Sequence, residues 1–118
     1  MSKFLTGFKF AWAGVRYLFR SQRNAKVHLA VAIGVIAAGC LFGISQIEWC
    51  LIVLCIALVF AAEGVNTAIE SLADAVHPGQ NPLVGKAKDV AAGAVLLCAI
   101  AAAIVGAVIF LPRMGIGL

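Results

Sequence analysis

Four polar side chains, Glu63, Asn66, Glu70 and Asp74, follow one another at i, i+3, i+7 and i+11 in a stretch that otherwise reads as an apolar helix. At about 100° per residue they fall within a sector roughly 80° wide, with Thr67 beside it, so they make one polar stripe. Ionisable groups at membrane depth each cost at least about 2.5 kcal/mol, so they face a cavity or a partner and mark a functional site. Clustered carboxylates are hard oxygen ligands suited to Mg²⁺, and a phosphate-bound Mg²⁺ takes only one or two of them. One carboxylate is then left to act as a base. A second group, Lys86, Lys88 and Asp89, follows a loop holding Pro78, Gly79, Asn81 and Pro82. A lysine there can reach phosphate oxygens, and an acid can accept hydrogen bonds from a nucleotide. The plainer reading of the two lysines is anchoring at a membrane surface.

Two other readings of the stripe stand beside phosphate chemistry. One is a structural polar network between subunits. The other is proton or cation transport, for which a buried glutamate in a protein of few helices is suited. The Lys-Asp pair beside the same end of the stripe favours phosphate. The sequence has no GxxxxGK[ST] and no kinase-type glycine-rich loop, so a nucleotide site here is neither a P-loop nor a protein-kinase fold.

The elements that position these residues are set by composition. Of 118 residues 64% are hydrophobic and 12% charged, which excludes the surface of a soluble domain of this size. Residues 1–26 carry Lys3, Lys9, Arg16, Arg20, Arg23 and Lys26 with no acid, while Phe4, Phe8, Trp12, Val15 and Phe19 recur at helical spacing. That pattern predicts a basic amphipathic helix at the interface and no removable leader. Residues 27–44 are long enough to span the bilayer. A second span is expected over 49–76, its inner half bearing the stripe. A third is expected over 86–111, apolar from Val90. Small residues in the first and third spans, including Gly39 and Gly43 as a GxxxG, imply close helix contact. Cys40, Cys50, Cys55 and Cys98 show no metal or CxxC spacing and are expected as buried small hydrophobes. Basic residues cluster before the first span and at 86–88, so the N-terminus and the 77–89 loop are expected in the cytoplasm. The net charge of +4 is bunched beside membrane segments, which points to anionic headgroups and not to nucleic acid.

Three segments together resemble one family. They are Glu63-Gly64-Val65-Asn66-Thr67-Ala68-Ile69-Glu70 with Asp74, the run from Ala87 through Lys88 and Asp89 to Leu97, and the stretch Arg23-Asn24-Ala25-Lys26-Val27-His28-Leu29. The chain is similar over nearly its whole length to the bacterial diacylglycerol kinase and undecaprenol kinase family of small membrane enzymes. The resemblance implies an all-α fold with a surface helix and three transmembrane helices, in a homotrimer in the bacterial inner membrane. Composite sites between subunits would bind ATP, Mg²⁺ and a lipid alcohol. It implies that Glu63 is the general base and that Glu70 holds the metal, with Asn66 between them. It also implies that Lys88 and Asp89 contact the nucleotide. Where the family often has a glutamate that is a second metal ligand, this chain has Gln22, which offers a carbonyl oxygen without charge. The second and third segments are closer to the undecaprenol kinases. Undecaprenol is therefore the first expected substrate and diacylglycerol the alternative.

Overall fold

The computed structural model describes residues 2–117. It is all helical: α1 (Ser2–Ser21), α2 (Arg23–Phe42), α3 (Gln46–Val76) and α4 (Pro82–Phe110), followed by a 3₁₀ turn at Pro112–Met114. The last three α-helices are each long and apolar enough to cross a membrane. The chain is a multi-pass membrane protein with an additional N-terminal helix.

The chain bends at Gln22, which is extended at φ −107°, ψ 121°. The stretch from Arg23 to Lys26, expected in the surface helix, therefore opens α2. The C-terminal turn of α1 docks on α3: Leu18 is buried, and Phe19 stacks on Phe60 with ring centroids 5.1 Å apart. Phe4, Phe8 and Trp12 remain exposed, an apolar stripe free to lie in a bilayer interface.

α2 ends where Gly43 takes a left-handed conformation (φ 63°) and the Ile44 amide donates to the Gly39 carbonyl at 3.2 Å. Ser45 then caps α3. Its hydroxyl accepts from the Glu48 amide at 3.2 Å, and the Glu48 carboxylate accepts from the Ser45 amide at 2.9 Å. This capping box starts α3 at Gln46, three residues before the expected span. At the other end His77 closes α3, and the Asn81 side-chain oxygen Oδ1 accepts from the Leu83 and Val84 amides, with Pro82 in the first turn of α4.

α3 and α4 pack antiparallel along their length. Arg113 donates to both carboxylate oxygens of Glu48 (2.7 and 2.9 Å) and to the Ile109 carbonyl (2.8 Å) at one end, while Lys88 pairs with Asp74 at the other. Beside the Glu48 clamp, Ile44, Ile52 and Ile109 form a small apolar core with Trp49 and Phe110 against it. Gly39 meets the expectation of close helix contact, since it is buried against the Trp49 ring of α3, and Gly43 serves as the terminator of α2. One expectation changes here. Cys40 and Cys50 are exposed while Cys55 and Cys98 are half-buried, all as free thiols. A small apolar side chain on a bilayer-facing surface has no need of burial.

Candidate active site

α3 has 31 residues and so is roughly 46 Å long at 1.5 Å per residue, well beyond a hydrocarbon core of about 30 Å. Measured along its axis from the capped end, Glu63 lies about 26 Å in, at the far margin of that core, and Asp74 about 42 Å in, outside it. Burial follows the same gradient. Glu63 is 1% exposed, Asn66 and Thr67 are buried, Glu70 is half-buried, and the Asp74 side chain is 64% exposed. The stripe thus runs from a dry end to a wet one.

Each member has a distinct environment. The Thr67 hydroxyl donates to the Glu63 carbonyl at 2.9 Å, which satisfies it within the helix. The Asn66 amide nitrogen donates to Glu70 Oε1 at 3.3 Å, linking adjacent turns. Both carboxylate oxygens of Glu63 and the amide oxygen of Asn66 are buried with no hydrogen-bond partner. A buried acceptor left without a donor costs about 1–3 kcal/mol, so three of them within two turns mark a place that a donor or a cation completes. Beside the Glu63 carboxylate stands the imidazole of His28 on α2, with Nε2 3.6 Å from Oε2.

The stripe's own helix carries no Lys, Arg or His, and the packing of other helices brings two such side chains to it. Asp74 is paired with Lys88, and His28 stands beside Glu63. The antiparallel register of α3 and α4 brings residues 14 apart in sequence together across the loop. His28 is the residue that sequence reasoning missed as a site group. An imidazole at the second position of the apolar span 27–44 was the available signal, under the rule that singled out the glutamates. Two other candidates are not joined to the cluster. Gln22 sits half-buried at the bend before α2 with no capping hydrogen bond from its side chain, and Asp89 is exposed in the second turn of α4. Among the described residues no three His, Cys, Asp or Glu side chains come together as a metal cage. A metal that arrives on a phosphate does not need one, and the oxygen donors of Glu70, Asn66 and Gln22 are of the hard type that suits Mg²⁺.

Comparison with known proteins narrows the chemistry. Residues 9–110 match the sequence model of the family described as prokaryotic diacylglycerol kinase. A diacylglycerol kinase of Synechocystis is 45% identical over 111 residues, covering 93% of this chain and 63% of its own length. An undecaprenol kinase of Bacillus subtilis is 40% identical over 114 residues, covering 97% of this chain and 93% of its own. The diacylglycerol kinase of Escherichia coli K12 is 28% identical over 107 residues, covering 90% of this chain and 87% of its own. The chain thus spans just under two thirds of the Synechocystis relative and nearly all of the Bacillus one.

Proposed function

The chain belongs to the prokaryotic diacylglycerol kinase family, and on that premise we propose that it is a lipid kinase, transferring the γ-phosphate of ATP to the hydroxyl of a membrane-embedded alcohol. The observation that carries this reading is the dry-to-wet gradient of the stripe. It sets an unpartnered carboxylate, Glu63, at the margin of the bilayer and further carboxylates outside it. A lipid hydroxyl held at the headgroup level meets the first, and a nucleotide arriving from water meets the others.

In this mechanism Glu63 accepts the hydroxyl proton as the alcohol oxygen attacks the γ-phosphorus and ADP departs. Glu70, with the carbonyl oxygens of Asn66 and Gln22, is suited to hold Mg²⁺ that comes with ATP. When bound, that ion neutralises charge on the phosphate oxygens. Lys88 leaves Asp74 for phosphate, and Asp89 accepts from the nucleotide. The remaining contribution is positioning of the two substrates. The clustering of basic residues before α2 and at 86–88 supports a cytoplasmic orientation of these groups, on the side of the inner membrane where ATP is found. A homotrimer in which neighbours complete each site accounts for Gln22 and Asp89 standing apart from the cluster within one subunit.

Undecaprenol is the proposed lipid, supported by the Arg23–Leu29 and Ala87–Leu97 stretches and by the near end-to-end match to the Bacillus enzyme. Diacylglycerol is the second reading, favoured by the 45% identity to the Synechocystis enzyme. The test is phosphorylation by purified protein in mixed micelles that present a polyprenol and a diacylglycerol side by side with ATP. Preference for the polyprenol is expected. Turnover of neither lipid would return the stripe to the transport or structural readings.

A further inference from the structure

We propose that His28 is a positioning residue and proton relay for Glu63, drawing off the proton that the carboxylate takes up in each turnover. The inference rests on the reading of Glu63 as the base. Glu63 is 1% exposed and neither of its oxygens has a hydrogen-bond partner, so water does not reset it directly. A base that keeps its proton works once. The group able to accept that proton is the His28 imidazole, whose Nε2 lies 3.6 Å from Glu63 Oε2 and whose side chain is 24% exposed. It is at once in reach of the buried oxygen and open to the outside. The separation is wider than a hydrogen bond, and a movement of roughly half an ångström closes it.

The cavity beside His28 and the neighbouring Thr67 offer no competing carrier. His28 forms part of the wall of a cavity of about 360 Å³ between α2, α3 and α4. The remainder of that wall is apolar, with Val31, Val59 and Phe60 typical and the Cys55 thiol its only other ionisable group. Thr67, next to Glu63 on the stripe, has its hydroxyl committed to the Glu63 carbonyl. His28 also lies in the second turn of α2, close behind Arg23 and Lys26, and so at the basic end of the molecule where water begins.

The step balances without an outside reagent. The lipid O–H bond breaks as the O–P bond forms. The bond from the γ-phosphorus to the β,γ-bridging oxygen breaks with its electron pair leaving on ADP, and the proton rests on Glu63. That proton then passes from Oε2 to Nε2, making an imidazolium beside a restored carboxylate, and the imidazolium gives up one proton to water.

The experiment compares wild type, His28→Ala, His28→Gln and Glu63→Gln in mixed micelles, each verified as folded by its melting transition and elution volume. The readings are kcat, KM for Mg-ATP and the response to added imidazole. The relay predicts that His28→Ala and His28→Gln both lose at least about tenfold in kcat with KM for Mg-ATP nearly unchanged, since an amide fills space but takes no proton. It also predicts that imidazole raises the rate of His28→Ala, whose lost ring opens into the cavity, and does nothing for Glu63→Gln. Wild-type kcat in His28→Gln overturns the relay even if His28→Ala does not fold. A slow His28→Ala that imidazole leaves slow also overturns it. An active wild type with either of those results sinks the relay alone, whereas a wild type that phosphorylates neither lipid sinks the kinase reading as well.

Discussion

Glu63 and Glu70 are chemically alike and seven residues apart on one helix, yet they sit in different media, and their proposed roles follow from that. Glu63 has two unpartnered oxygens in a dry setting, so its removal should affect the chemical step more than nucleotide binding. Glu63→Gln is expected to lower kcat at least about a hundredfold while Mg-ATP binding, read by equilibrium dialysis, stays near wild type. Near-normal turnover would remove Glu63 from the role of base. Glu70 is half-buried and already accepts from Asn66, an arrangement suited to holding a cation at the wet side. If Glu70 carries the only formal charge offered to Mg²⁺ and Gln22 assists with a neutral oxygen, Glu70→Gln should nearly abolish the rate and Gln22→Ala should do less. Gln22→Glu should lower the Mg²⁺ concentration needed for half-maximal rate, because hard cations bind more tightly as ligand charge rises. A Mg²⁺ titration of the rate at saturating ATP decides it. An unchanged titration in Gln22→Glu together with full activity in Gln22→Ala would detach residue 22 from the metal. The common face of these residues was legible in the sequence because one helix fixes the angle between its own side chains. The His28–Glu63 and Lys88–Asp74 approaches were not, because they depend on how separate helices pack.

At the level of elements, the first and third spans were legible from apolar length, the second from an apolar run that continues into the polar stripe without a helix breaker, and the differences lie at their ends. Ser45-Gln46-Ile47-Glu48 is a capping-box pattern that hydropathy does not register, so α3 begins earlier than the apolar run suggested. The bend at Gln22 has neither proline nor glycine to announce it, which is why Arg23 was assigned to the surface helix. The turn between α2 and α3 carries a further consequence. A Cβ on Gly39 would lie 2.7 and 2.9 Å from atoms of the Trp49 ring and 3.1 Å from Ile44 Cδ1, while one on Gly34 meets nothing within 4 Å. Both glycines are inside α2, so alanine improves helix propensity at each by up to about 1 kcal/mol. At Gly39 overpacking of about 1–3 kcal/mol opposes that gain, because Trp49 packs against the buried isoleucine cluster and has little room to turn away. Gly39→Ala should therefore lower the melting temperature in detergent and Gly34→Ala should hold or raise it. Equal melting of the two variants would show that α2 and α3 are not closely packed at this corner.

On the scale of the whole molecule, one subunit leaves most of its spanning surface unpacked, with Leu54, Leu58, Val90, Leu97 and Ile104 among the exposed residues. Lipid covers such a surface as readily as another subunit does, so exposure alone does not decide assembly. The argument for shared sites is instead that the proposed groups are divided. Glu63 is buried beside α2, whereas among the described residues no hydrogen bond or ion pair joins Gln22 or Asp89 to the cluster in their own chain. His28 beside Glu63 and Lys88 on Asp74 show that neither carboxylate needs a neighbouring chain to bring a basic side chain to it. Mixing subunits provides the measurement. In a closed ring where each site takes Glu63 from one chain and Lys88 from the next, equal amounts of Glu63→Gln and Lys88→Ala subunits that assemble at random leave about one site in four with both groups intact. Activity should then rise from near zero for either variant alone to about a quarter of wild type. Co-purification through two different affinity tags first establishes that mixed oligomers form. If they form and the rate stays at the level of the single variants, Glu63 and Lys88 serve a site within one chain, and the Lys88–Asp74 pair of the isolated subunit is then the resting state of that same site.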